Sequence, residues 1–89
     1  MNSIESAQQY MSVAESGDVQ AQFTLALMYA NGQGGLDKDY LLAHKWATMA
    51  AMNGNVESAM LAELLIPQMT HQEIKQSRKM IQNCRSNKL

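Results

Sequence analysis

The sequences AESGDV (residues 14–19) and AMNGNV (residues 51–56) stand 37 positions apart and determine how the rest of this chain is interpreted. In each, a glycine follows a helix-forming segment, and a capping residue, Asp18 or Asn55, comes directly after the glycine. Glycine ends helices because it adopts the left-handed conformation without steric cost, and Asp and Asn side chains accept hydrogen bonds from first-turn amides. Each sequence therefore predicts that one helix ends and the next begins.

The rest of the sequence, on either side of these two stretches, also predicts only helices. Ala, Leu, Met and Gln, which favour helices, are plentiful, and no segment alternates in the manner of a strand. The Gly-rich residues 32–35 form a loop, Pro67 stops a helix, and Thr70 with Glu73 has the pattern of a capping box. We therefore predict five helices, at about residues 3–16, 19–31, 39–53, 55–66 and 71–85.

A period of 37 residues with two helices in each unit is typical of helical solenoids. We therefore predict an all-α fold, a short right-handed α-solenoid of antiparallel helices. Residues 18–53 make one full helix pair, and the last helix caps an apolar edge. Because 89 residues supply one small core, we expect residues 1–89 to form a single domain.

Three segments resemble the sel-one-like repeat family, a branch of the tetratricopeptide-like α-solenoids. They are AESGDxxAQFxL (residues 14–25), MYxxGxG (residues 28–34) and DYxxAxxWxxxAA (residues 39–51). The resemblance is best over residues 14–54, and residues 70–86 are similar to the capping helix that often follows the last repeat. The resemblance implies a protein–protein interaction module without catalytic activity.

Residues that carry out catalysis or bind metals are not grouped in this sequence. His44, His71 and Cys84 lack the spacing of metal ligands, and a lone cysteine excludes an internal disulfide bond. The loop at residues 32–35 has no strand before it and no Lys-Ser/Thr after it, as a phosphate-binding loop requires. We therefore expect no enzymatic activity, no cofactor and no metal site.

No apolar stretch approaches the roughly 20 residues that cross a membrane, and the first residues lack the pattern of a signal peptide. We therefore expect a cytoplasmic protein without a membrane partner. Residues 1–70 carry seven acidic and two basic residues, whereas residues 71–89 carry one acidic and five basic residues. The basic residues could bind an acidic partner or a nucleic acid, or they could simply complement the dipole of the last helix.

Partner-binding residues are predicted on the concave face, which the first helix of each pair would line. A 4-3-4 spacing keeps residues on one side of a helix, and a shift of 37 positions gives their counterparts in the next unit. We call these eight residues the concave strip: Gln20, Thr24, Leu27, Asn31, Glu57, Leu61, Leu64 and Gln68. We expect its three leucines to form an apolar centre that suits an amphipathic helix or an extended peptide.

The main functional prediction is a small adaptor, inhibitor or regulator that binds one protein partner through the concave strip. One alternative is a homo-oligomeric structural module in which two copies associate to form a homodimer. A second, which the sequence supports less, is a nucleic-acid-associated protein that uses the basic C-terminal helix. The last helix could also fold over the concave strip and bury it. Trp46 is predicted to lie in the core.

Overall fold

The computed structural model describes residues 3–86 of the chain, and the surroundings of the side chains from Ala7 to Asn83. Cys84 and Arg85 have side chains outside the described part, and Lys88 lies outside it altogether. Within the described part the fold is helical throughout, without strands. Its five α-helices are α1 Ser3–Glu15, α2 Val19–Asn31, α3 Tyr40–Met52, α4 Val56–Leu65 and α5 His71–Ser86, and a short 3-10 helix, Ile66–Gln68, connects the last two.

The predicted helix boundaries are confirmed to within about one residue, and the caps explain why. The N–H of Ala21 donates to the carboxylate of Asp18 at 2.8 Å, and the N–H of Ser58 donates to the side chain of Asn55 at 2.7 Å. The glycines just before these caps have φ angles of +108° and +100°, which other residues rarely adopt. The two turns are therefore built alike from equivalent residues.

The internal repeat is also visible in the helix bounds. Helix α3 begins and ends 37 positions after α1, and α4 begins 37 positions after α2. Helix α4 is shorter than α2 because Pro67 follows it, and the chain continues as the 3-10 helix with this proline in its first turn. The prediction of a short helical solenoid is confirmed.

Helix α3 lies at the centre of the molecule, where it packs against α2, α4 and α5. Its Ala43, Ala47 and Ala50 are fully buried, and small side chains at these positions let the neighbouring helices approach closely. Trp46, only 4% exposed, belongs to the same core cluster as Leu25 of α2, as the sequence predicts.

Helix α5 packs against α3, and the predicted capping box begins it. The N–H of Thr70 donates to the Glu73 carboxylate at 2.9 Å, and the N–H of Glu73 donates to the Thr70 hydroxyl at 3.1 Å. Ser77 and Ile81 of α5 are buried. None of the helices in the described residues combines the length and apolar character needed to cross a bilayer.

Candidate interaction surface

The α2 half of the concave strip is partly accessible. Gln20 and Asn31 are exposed, whereas Thr24 and Leu27 are half-buried. The Thr24 hydroxyl donates to the Gln20 carbonyl oxygen at 3.0 Å, so its proton is used within the helix. A partner on this side would contact mainly the two terminal polar residues and the outer part of Leu27.

The second half of the strip is divided between the surface and the core. Glu57 and Gln68 are exposed, and Gln68 lies in the 3-10 helix beyond the end of α4. Leu64 is 70% exposed, whereas Leu61 is half-buried and packs against the core cluster. Leu64 is therefore the leucine of the strip that is most available to a partner, and Leu61 contributes also to folding.

Helix α5 does not take up the position in which it would bury the concave strip. Its principal helix neighbour is α3, while α2 and α4 contact each other and both contact α3. The described part of α5 therefore leaves the α2–α4 side open.

An exposed apolar surface on α4 was not predicted from the sequence. Val56 is 72% exposed, Met60 62% and Leu64 70%, and these residues line a shallow groove of about 420 Å³ together with Ala59 and Glu63. We call these five residues the α4 outer face. Their four-residue spacing was visible in the sequence, but α4 is so apolar that its buried and exposed sides could not be told apart.

The equivalent side of α2 is covered. The residues 37 positions before the α4 outer face are Val19, Gln22, Phe23, Ala26 and Leu27. Gln22 and Ala26 are buried and the other three are half-buried, because α2 is packed between α1 and α3. Helix α4 packs against α3, but its other side meets no comparable helix in the described part of the chain.

Gln22 is a second feature that the sequence alone did not reveal. Its side-chain amide donates to the carbonyl oxygen of Ala14 at 3.1 Å, and its oxygen accepts from the Asn53 amide at 3.4 Å. It thereby joins the C-terminal ends of α1 and α3 across α2. Most buried polar groups have such partners, so Gln22 has a packing role and is not available to a ligand.

A buried contact between His44 and Ser77 joins α3 to α5. Their Nδ1 and Oγ atoms lie 2.7 Å apart, and Ser77 is completely buried. Burial lowers the pKa of His44 from its ordinary value near 6.5, and the positive charge of Arg78 lowers it further. Although a histidine and a serine in contact can act in nucleophilic catalysis, no substrate can reach this serine. The pair is a structural contact between two helices.

Tyr29 also has a perturbed acidity for structural reasons. Burial raises the pKa of its hydroxyl above the usual 10.0, and the nearby Asp39 carboxylate raises it further. Asp39 is the N-cap of α3 and accepts from the N–H of Leu42 at 3.0 Å. In the described side chains, His, Cys, Asp and Glu do not form a group of three that could hold a metal ion.

The basic residues of α5 that the structure describes, Lys75, Arg78 and Lys79, are exposed. With three glutamines of α5 they line a groove of about 450 Å³, and the helix contains no Phe, Tyr or Trp on which a base could stack. The apolar surface and the basic surface are therefore on different helices.

Comparisons with known proteins identify the repeat. Residues 19–55, from the start of α2 to the cap of α4, match the family model of the Sel1 repeat, which confirms the resemblance in the sequence. Sel1 repeats generally mediate protein–protein interactions. Neither the curated proteins nor the solved structures include a match to this chain.

Proposed function

We propose that this protein is a small non-catalytic adaptor, inhibitor or regulator that binds one protein partner through the concave strip, since residues 19–55 match the model of the Sel1 repeat. The observation that carries the proposal is the open α2–α4 side, where α5 packs elsewhere and Leu64 stays largely exposed. Only two short helices, α2 and α4, line this side, which suits a single partner better than a scaffold for several.

The concave strip also has the composition that a peptide or helix partner requires. Leu27, Leu61 and Leu64 provide apolar area, and exposed Gln20 and Gln68 provide hydrogen-bonding groups at its edges. Protein interfaces combine an apolar centre with a polar rim in this way. Because Gln20 and Gln68 are uncharged, they can pair with backbone groups of a bound segment without a large desolvation cost.

The proposal is tested by blocking the strip with residues that do not disturb the core. Gln20 and Gln68 are exposed, so the double variant Gln20→Arg/Gln68→Arg should fold normally but present two long cationic side chains at the edges of the strip. The partner is first identified by affinity capture on the unmodified chain, and its dissociation constant is then measured by calorimetry. We expect the double variant to bind about tenfold or more weakly.

The matched control is Gln9→Arg, which makes the same replacement at an exposed position of α1. It should bind as tightly as the unmodified chain. Equal weakening by both replacements, or no weakening by the double variant, would contradict the assignment of the concave strip. Sedimentation of the unmodified chain tests the homo-oligomeric alternative, because a mass that rises with concentration and falls in the double variant would favour it.

A further inference from the structure

The α4 outer face differs from the surface at the other end of the solenoid. At that end, α1 presents Gln8, Gln9 and Ser12 around a groove of about 630 Å³, with Val13 beside them. Terminal units of solenoids need such polar outer faces because no neighbouring repeat covers them. The α4 outer face has three large apolar side chains instead, each more than half exposed. Apolar patches of this kind mark surfaces that another molecule covers.

The internal repeat indicates what kind of element fits there. On α2, the equivalent face is covered because α2 packs against both α1 and α3. The 37-residue shift places α3 in the position of α1, so α4 already has the counterpart of α1, and the neighbour that it lacks corresponds to α3. From Val56 to Leu64 the exposed apolar stripe extends about 12 Å along α4, which corresponds to between two and three helical turns.

The charges of α4 specify the partner further. Glu57 and Glu63 flank the apolar stripe on its two edges, and residues 56–65 contain no basic residue. If two copies paired through this face, four carboxylates would line the interface without a cation, which is unfavourable. Stacking α4 of one copy on the polar outer face of α1 in the next would bury little apolar area. A helix that carries Lys or Arg beside its own apolar stripe would instead complement both edges.

We infer that the α4 outer face binds an amphipathic helix of the protein partner, with an apolar stripe flanked by Lys or Arg, in the position that α3 has against α2. The inference rests on the proposed function only in taking the partner to be a protein. It assigns a surface that shares Leu64 with the concave strip, is bordered by Glu57 of that strip, and otherwise lies on a different side of α4.

The test uses the full chain and a displayed library of helical peptides. Each peptide has three apolar positions at four-residue spacing, and the flanking positions are randomised. Peptides are selected on the unmodified chain, and the dissociation constants of the enriched ones are measured against Met60→Lys and against the control Val13→Lys on α1. We expect Lys or Arg to be enriched at the flanks, and Met60→Lys to weaken binding about tenfold or more because it places a cation in the stripe.

Charge reversal tests the specificity directly. Glu57→Lys/Glu63→Lys should retain the fold and shift the enriched flanks from Lys and Arg to Asp and Glu. Far-ultraviolet circular dichroism of each variant checks folding, and Val56→Lys replaces Met60→Lys should the latter lose helix content, because Val56 is 72% exposed and lies outside the concave strip.

Three results would overturn the inference: enrichment of no peptide, flanks without a charge preference, or binding that Met60→Lys leaves unchanged. A dimer of the unmodified chain that Met60→Lys dissociates would also overturn it, since the occupant would then be a second copy. The proposed function is judged separately by Gln20→Arg/Gln68→Arg, because neither of these residues belongs to the α4 outer face.

Discussion

Helices α2 and α4 have the same type of N-terminal cap but are packed differently against the neighbouring helices. Both start one residue after an Asp or Asn cap that accepts from the amide three residues further on, and both follow a glycine with φ near +100°. Yet α2 is packed between two helices, whereas α4 has one side in the core and the other exposed. Equivalent local sequence therefore produces equivalent helix starts, but the number of packed neighbours decides which side chains are buried.

The difference in packing also gives equivalent residues of α2 and α4 different roles. Buried Gln22 joins the ends of α1 and α3 across α2, whereas its equivalent on α4 is half-buried Ala59 beside the exposed groove. Helix α2 is thus fixed from both sides, and α2 and α3 supply most of the buried apolar residues. Helix α4 retains an exposed apolar surface.

The largest effect is expected from Trp46→Ala, which removes the largest side chain of the central helix. Because Trp46 is 4% exposed, the free energy of unfolding should fall by about 3–5 kcal/mol, measured by urea denaturation. Gln9, its equivalent on α1, is exposed, so Gln9→Ala should change stability little. Similar losses from both variants would show that α1 and α3 are equally buried, contrary to the structure.

Gln22→Leu tests whether the connection across α2 stabilises the first unit. The change keeps the side-chain volume approximately but removes the 3.1 Å hydrogen bond to the Ala14 carbonyl oxygen, which still accepts from the N–H of Gly17, so we expect a loss of about 1 kcal/mol. Ala59→Leu adds an apolar side chain at the equivalent position beside the open groove and should be tolerated. Thermal unfolding of the two variants compares the positions, and a larger loss for Ala59→Leu would contradict the difference in burial.

Removal of the N-cap side chain should have a similar effect on stability at α2 and at α4. Asp18→Ala and Asn55→Ala each remove one side-chain acceptor at a helix start, at a cost of about 1 kcal/mol. Chemical denaturation of the single variants and of the double variant gives the two losses and their sum. If one cap contributed nothing, the two helix starts would differ energetically despite their common geometry.

A smaller effect of opposite sign is expected from Ser58→Ala. Within the described residues the Ser58 hydroxyl is buried without a hydrogen-bond partner, and the equivalent residue on α2 is Ala21. Removing an unsatisfied hydroxyl should stabilise the protein by up to about 1 kcal/mol. The exposed Ser12→Ala controls for helix propensity, and a destabilised Ser58→Ala variant would mean that the hydroxyl makes a favourable interaction.

The weakest effect should appear in the pH dependence, through the contact that holds α5 on α3. Because the pKa of His44 is lowered in the fold, the unfolded chain binds the proton more readily than the folded one. The stability that neutral, buried His44 contributes is complete above about pH 6.5 and declines as the pH falls through its lowered pKa. Melting temperatures between about pH 8 and pH 5 should show this decline in the unmodified chain and in His71→Gln, but less of it in His44→Gln.

The helix boundaries and the repeat could be predicted because they depend on interactions between residues close in sequence. Asp18, Asn55 and the Thr70–Glu73 pair each bond to a backbone group three residues away, so their effect is visible in a short stretch. The concave strip is predicted from the spacing of residues along each helix. Which of these residues are exposed depends on how the helices pack. Leu61 shows the limit of this method: the helical spacing places it on the same strip as the exposed Leu64, yet it packs against the core.

The sequence by itself determined the helices, their caps, the 37-residue period and the match of residues 19–55 to the Sel1 repeat. Only the tertiary structure decided that α5 packs on α3, through residues such as His44 and Ser77 that stand 33 positions apart, and that α4 keeps an exposed apolar side. The physical reason is the range of the interactions. Caps and glycine turns act within one helical turn, whereas burial depends on which distant helices come to lie beside each face.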